Sequence, residues 1–144
     1  TDTIGFRQSL IRQLQPYHTK ALILGTGGAS KAVEYVLQQL GIAYTLVSRS
    51  AGERSMRYEM LSEAVIKNHL LIINASPVGT FPDINKCPAI PYEAVGSRHF
   101  LFDLIYNPEK TLFLKQGLER GAVVQNGHDM LIAQAEASWK LWNE

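Results

Sequence analysis

Two hydrophobic rhythms take turns along this chain. Short, largely apolar runs, at Ala21 to Leu24, Ala43 to Val47, Leu70 to Ile73, Phe100 to Leu104 and Val123-Val124, have the length and composition of buried strands. Between them stand segments whose apolar residues recur three and four apart. Ile4 to Leu14 puts Phe6, Leu10, Ile11 and Leu14 on one helical face and ends at Pro16. Ala29 to Leu40 turns Ala32, Val33, Val36, Leu37 and Leu40 toward a sheet and stops at Gly41. Glu59 to Lys67, Thr111 to Arg120 and Met130 to Trp142 read as further helices. The last has Asn126 as its N-cap and Asp129 in its first turn, where the helix dipole favours a negative charge. Ser76 to Pro91, rich in Pro and Asn, reads as loop. Strands alternating with helices imply an α/β fold of three layers, a mostly parallel, doubly wound sheet covered on both faces.

The alternation falters once. After Ser48-Arg49-Ser50 only a short polar loop, Ala51 to Arg54, precedes a weak strand near Ser55 to Tyr58. A parallel crossover normally takes a dozen or more residues and a helix. The helix after the second strand is therefore expected to be shortened or missing, leaving an abbreviated edge.

Length and composition narrow the picture further. The 144 residues suit one domain with a real core, and a net charge of +1 offers no nucleic-acid or acidic-membrane surface. No apolar run approaches the roughly 20 residues of a membrane span, and no signal peptide is visible. The single cysteine, Cys87, excludes an internal disulfide and fits a reducing cytoplasm. His18, His69, His99 and His128 have no ligand-like spacing, so no metal site is expected. The chain opens on Thr1-Asp2-Thr3 without methionine, which leads us to expect a piece of something longer.

The candidate chemistry starts where the first strand ends. Gly25-Thr26-Gly27-Gly28-Ala29-Ser30 joins a strand to a helix, a place where backbone N–H groups and a helix dipole meet and bind phosphate. Gly25 permits the tight turn, Gly27 lets backbone approach a pyrophosphate, and Ser30 takes the third small position. A Walker loop is rejected, because Ser30 and Ala32 flank Lys31 where that loop needs glycine and a magnesium-binding hydroxyl. Lys31 is then either a first-turn side chain near the phosphates or a solvated surface lysine. At the tip of the second strand an NAD binder carries Asp or Glu. Here Ser48-Arg49-Ser50 stands instead, and a guanidinium between hydroxyls suits a 2′-phosphate, so NADP(H) is the expected cofactor. The alternative for Arg49 is an exposed loop arginine.

Six segments in order carry a family resemblance. They are Thr1-Asp2 with Gly5-Phe6, Gly25 to Ala29, Ser48-Arg49-Ser50, Asn74-Ala75-Ser76-Pro77-Val78-Gly79, Asp103 to Pro108 with Thr111-Leu112, and Asn126-Gly127 with Met130-Leu131 and Gln134. The chain resembles the C-terminal, NADP-binding half of shikimate dehydrogenase, which implies a single Rossmann-like domain over 1–144. Residues 1–16 and 126–144 would lie on the hinge and substrate-cleft side. Departures are Ser48 for Asn, Thr80 for Met, and the uncertain register of Arg54 as a second phosphate ligand.

The resemblance implies a role for each position. Asp2 would be the substrate-binding carboxylate beside a catalytic lysine that this chain does not contain. Gly25, Thr26, Gly27, Gly28 and Ala29 would hold the pyrophosphate, and Ser48, Arg49 and Ser50 the adenosine side with its 2′-phosphate. Asn74 and Ser76 would border the cofactor's middle, Leu104 would lie against the nicotinamide, and the Gly127 carbonyl would accept from its amide. Tyr106 and Gln134 would reach the substrate, shikimate or 3-dehydroshikimate; otherwise they are a turn aromatic and a helix-surface glutamine. The implied activity is NADPH-dependent, reversible reduction of 3-dehydroshikimate in aromatic amino-acid biosynthesis, with the isolated piece binding cofactor but inactive. Two alternatives are a quinate/shikimate dehydrogenase that also uses NAD and a non-catalytic NADP-sensing module.

Overall fold

The computed structural model describes residues 2–50, 52, 54–132, 135 and 136. Six strands form one sheet: β1 (Lys20–Leu24), β2 (Ala43–Ser48), β3 (Ser55–Arg57), β4 (Leu71–Asn74), β5 (Phe100–Asp103) and β6 (Val123–Gln125). Their order is β3-β2-β1-β4-β5-β6 and every neighbouring pair is parallel. The chain winds outward from β1 in one direction, then returns and winds the other way from β4. The crevice where the two halves diverge lies at the carboxyl ends of β1 and β4, just past Leu24 and Asn74.

Alternation along the strands sorts the core into two layers. Ala21, Ile23, Leu71, Ile73, Phe100 and Phe102 face one side, where α1 (Asp2–Ile11) and α2 (Gly28–Gln39) cover them with Phe6, Leu10, Val33, Val36 and Leu37. Phe6 meets Phe102 edge-on at 5.0 Å, the geometry that ring quadrupoles favour. Leu22, Leu24, Ile72 and Leu101 face the other side, against Ile66 of α3 (Glu63–Asn68) and Phe113 and Leu114 of α4 (Leu112–Glu119). A helical run at residues 128–132 follows β6. The expected three-layer α/β fold is present.

The abbreviated edge is present too. Six residues, 49–54, separate the end of β2 from the start of β3, yet the two pair in parallel from Leu46↔Ser55 to Ser48↔Arg57. Because the overlap is three residues deep, the chain returns only on the order of 10 Å, within the reach of six residues without a helix.

Three expectations need correction. The helix expected over Glu59 to Lys67 is two pieces, a 3₁₀ turn at Tyr58–Met60 and α3. Leu61 between them is extended and buried, and Ser62 restarts the helix by accepting from the Val65 amide at 3.2 Å. The first helix ends at Ile11 rather than Leu14, and Ile11, expected on the buried face, is 46% exposed. The last helix begins at residue 128, two positions before Met130, and Trp142 lies outside the described residues.

Candidate functional site

The turn after β1 is built by its glycines. The Gly25 amide donates to the Val47 carbonyl at 2.8 Å, and Gly25 has φ +111°, a conformation that L side chains resist. A β-carbon there would also press on the Ser76 nitrogen at 3.1 Å and the Ala75 carbonyl at 3.2 Å. Gly27 is the N-cap of α2 and brings no side-chain cap, and the helix has no acid in its first turn. The Ser30 amide turns back to the Gly27 carbonyl at 3.2 Å, while the amides before it have no side-chain cap and, with the positive end of the dipole, can face a ligand. A β-carbon on Gly27 or Gly28 would meet nothing within 4 Å, so both border open space. Ser30 is buried and fits its small position by donating its hydroxyl to the Gly27 carbonyl at 2.6 Å.

On one side of this turn lies a cleft of about 480 Å³, walled by Gly25, Thr26 and Gly27, by Ser48 and Arg49, and by Ser76 to Val78. Arg49 is exposed, and among the described residues it enters no ion pair. Arg54 behaves differently: its guanidinium is held by Glu34 of α2 at 2.8 Å, which draws it away from a phosphate role. The Ser48 hydroxyl is engaged with the Ser50 carbonyl and, at 3.1 Å, with the Ser55 hydroxyl. Ser50 is exposed.

Tyr58, from the turn after β3, also lines this cleft and was not singled out from the sequence. Burial pushes its phenol up, opposed by the nearby Arg49 charge and by Ser76. Its place at the end of a weak strand gave no signal, because the wall it supplies depends on the shortened crossover.

A second cleft of about 550 Å³ shares Gly27, Ala75, Ser76 and Pro77 with the first and continues to Leu104, Tyr106 and Phe81. An apolar depression of about 400 Å³ adjoins it, formed by Phe6, Ala29, Val33, Leu104, Met130 and Leu131. Leu104 is half-buried and Tyr106 is exposed. Gly127 is buried; its amide donates to the Ile105 carbonyl at 3.1 Å and its own carbonyl accepts from the Leu131 amide at 3.0 Å. Asn126 caps the helix start, accepting from the His128 amide at 3.0 Å and donating to the Glu109 carbonyl at 2.7 Å. Asp2 opens α1. Gln134 lies outside the described residues.

Asn74 and Ser76 part company. Ser76 lines both clefts, whereas the Asn74 side chain is wholly buried behind them. Its amide donates to Asp103 Oδ1 at 3.2 Å and to the Val78 carbonyl at 3.3 Å, while its Oδ1 accepts from the Ser76 amide at 3.1 Å and hydroxyl at 2.6 Å. Asp103 also accepts from the Ile105 amide at 3.1 Å and the Thr111 hydroxyl at 2.6 Å. Burial raises its carboxyl to about 6, and the bonds from Thr111, Ile105 and Asn74 oppose that rise. Among the described residues no group of His, Cys, Asp and Glu is placed to hold a metal, and no helix is long and apolar enough to cross a membrane.

Comparison with known proteins aligns nearly the whole chain. No protein-family model matches it. The NADP(+) shikimate dehydrogenase of Ignicoccus hospitalis is 38% identical over 149 residues, 99% of this chain and 56% of that protein. The solved shikimate dehydrogenase of Aquifex aeolicus superposes with a TM-score of 0.83 at 30% identity, over 99% of this chain and 55% of its own. The Thermus thermophilus enzyme, solved with NADP(H) and shikimate, gives 0.81 at 28%, over 98% and 55%. The chain thus spans about half the length of the curated relatives it matches.

Proposed function

We propose that this chain is the dinucleotide-binding half of an NADP-dependent shikimate dehydrogenase, acting within the whole protein in the reversible reduction of 3-dehydroshikimate to shikimate. The observation that carries the reading is the uncapped start of α2 at the β1/β4 crevice, with the Arg49 guanidinium on the same cleft. The residues fit an extended dinucleotide. Gly25 to Ala29 would hold its pyrophosphate through backbone amides, and Arg49 with Ser50 would pair the 2′-phosphate. Ser48 would act through the turn it holds with Ser50 and Ser55. Ser76 would border the middle, Asn74 would hold the Ser76 loop in place, Leu104 would back the nicotinamide, and the Gly127 carbonyl would take its amide.

NADPH supplies the hydride; the protein orients it and handles the proton. Asp2, Tyr106 and Gln134 are assigned to the substrate side, and residues 1–16 and 126–144 to the hinge. The lysine that would move the proton belongs, by the family pattern, to the part of the relatives that this chain does not match. By themselves these 144 residues are accordingly proposed to bind NADP(H) and turn over no shikimate. Calorimetric titration with NADP+ and NAD+ tests the reading. Tighter uptake of NADP+ supports it, equal uptake favours a dehydrogenase that uses both cofactors, and no uptake of either overturns it.

A further inference from the structure

Behind the two clefts sits a carboxylate that the roles above leave unused. Asp103 is fully buried at the end of β5, and both its oxygens are occupied. Oδ1 takes the Ile105 amide at 3.1 Å and the Asn74 amide group at 3.2 Å, and Oδ2 takes the Thr111 hydroxyl at 2.6 Å. Through Ile105 it holds the loop carrying Leu104 and Tyr106; through Asn74 it holds the loop carrying Ser76 and Val78. Both loops line the second cleft, through Ala75 to Pro77 and through Leu104 to Asn107. We propose that Asp103 is a positioning residue, whose carboxylate ties the loops after β4 and β5 together so that the nicotinamide-side cleft is set before a ligand arrives.

A carboxylate suits this task better than an apolar group of the same size. It accepts from three donors belonging to three segments; without it the Ile105 amide and the Thr111 hydroxyl would lose their acceptor and the Asn74 amide one of its two. The Thr111 hydroxyl also accepts from the Leu114 amide at 3.3 Å, so the start of α4 is tied to the same point. The ligand side of this inference rests on the cofactor reading above; the loop geometry does not.

Two measurements on the full 144-residue chain separate the two. The first is amide hydrogen exchange without ligand. Asp103→Ala is expected to speed exchange at residues 75–79 and 104–107 at least about tenfold while leaving β1 and α2 unchanged. Asp103→Asn, which can still accept from Ile105 and Asn74, is expected to restore most of the protection. The second is calorimetry with NADP+ and with adenosine 2′,5′-bisphosphate, which lacks the nicotinamide half. Asp103→Ala should weaken NADP+ about tenfold and the bisphosphate less than about threefold. If Asp103→Ala does not fold, Thr111→Val is measured in its place and is expected to move both readouts in the same direction. Unchanged loop exchange, or equal losses for the two ligands, overturns the proposal; so does an asparagine variant as impaired as the alanine one. If the natural sequence takes up no NADP+, the cofactor reading fails and exchange alone decides the positioning role.

Discussion

The α-carbon of Gly127 lies against the Leu104 carbonyl oxygen, inside the space that a β-carbon would need. The contact is backbone to backbone, so no rotamer change can relieve it. It joins the start of the last helix to the loop we assign to the nicotinamide. Gly127→Ala is therefore expected to lower stability by about 1–3 kcal/mol, read from the urea midpoint, and to weaken NADP+ by displacing Leu104. Gly28→Ala makes the opposite comparison. A β-carbon there meets nothing within 4 Å, and alanine favours a helix start over glycine. It should leave stability equal or slightly higher while costing cofactor affinity, because the new methyl stands in the open space beside the cradle.

Arg49 is the proposed discriminator between the two dinucleotides. A guanidinium paired with a phosphate contributes roughly 1.5–3 kcal/mol when the pair is well formed. Arg49→Ala is then expected to weaken NADP+ by about ten- to hundredfold and NAD+ by less than about threefold. Calorimetry with both cofactors decides it, and equal losses would remove Arg49 from the 2′-phosphate. Arg54→Ala is the control. Because Glu34 already holds that side chain, its loss should change the two affinities alike.

The fold was legible because its rules are local. The short apolar run ending at Ile73 predicts a strand covered on both faces, as Leu71 to Ile73 are, and the glycines after Leu24 announce the turn that follows. The missing crossover helix was legible from counting residues after Ser50. Chain positions set by distant partners were not. Leu61 breaks the expected helix because the core takes it, a matter of three-dimensional packing. Ile11 fits the helical pattern and still stays exposed, while Phe6 and Leu10 of the same helix are buried. Asn74 looked like a cleft residue, yet its amide is spent on Asp103, 29 positions away, and no pattern in the sequence names that partner. Tyr58 was hidden for the same reason, as its wall exists only because β3 lies against β2.

Two histidines that lack metal spacing turn out to be cross-links. His18 accepts the Gln15 amide at Nδ1, 2.9 Å, and donates from Nε2 to the Arg98 carbonyl at 2.9 Å. His99 repeats the arrangement, accepting the Gly96 amide at 3.0 Å and donating to the Ile66 carbonyl at 2.8 Å. Each is thus a neutral ring with its proton on Nε2, and burial holds both below the usual 6.5. The folded chain resists protons that the unfolded chain accepts, so this stability is present above pH 6.5 and is lost as pH falls below it. Ring-carbon titration by NMR should place both midpoints below 6.5. A midpoint above it for either ring would refute the neutral cross-link.

Asp103 gives the opposite slope. Its carboxyl titrates near 6 in the folded chain, against 3.8 for an ordinary aspartate, because burial disfavours the charge more than its three donors favour it. Between those values the folded chain keeps a proton that the unfolded chain has released. The contribution of this group is therefore greatest below pH 3.8, falls as pH rises to about 6, and is level above. The gap between the two values corresponds to a change on the order of 2–3 kcal/mol. Asp103→Asn has no charge to bury and lacks this slope. The unfolding free energy of the natural sequence minus that of the variant, measured in urea at pH 4 and at pH 7, should fall by that amount on going to the higher pH. Taking the difference cancels the histidines, which titrate alike in both chains. A constant difference would mean that the carboxylate is as well solvated by its donors as it is by water, and that burial costs it nothing.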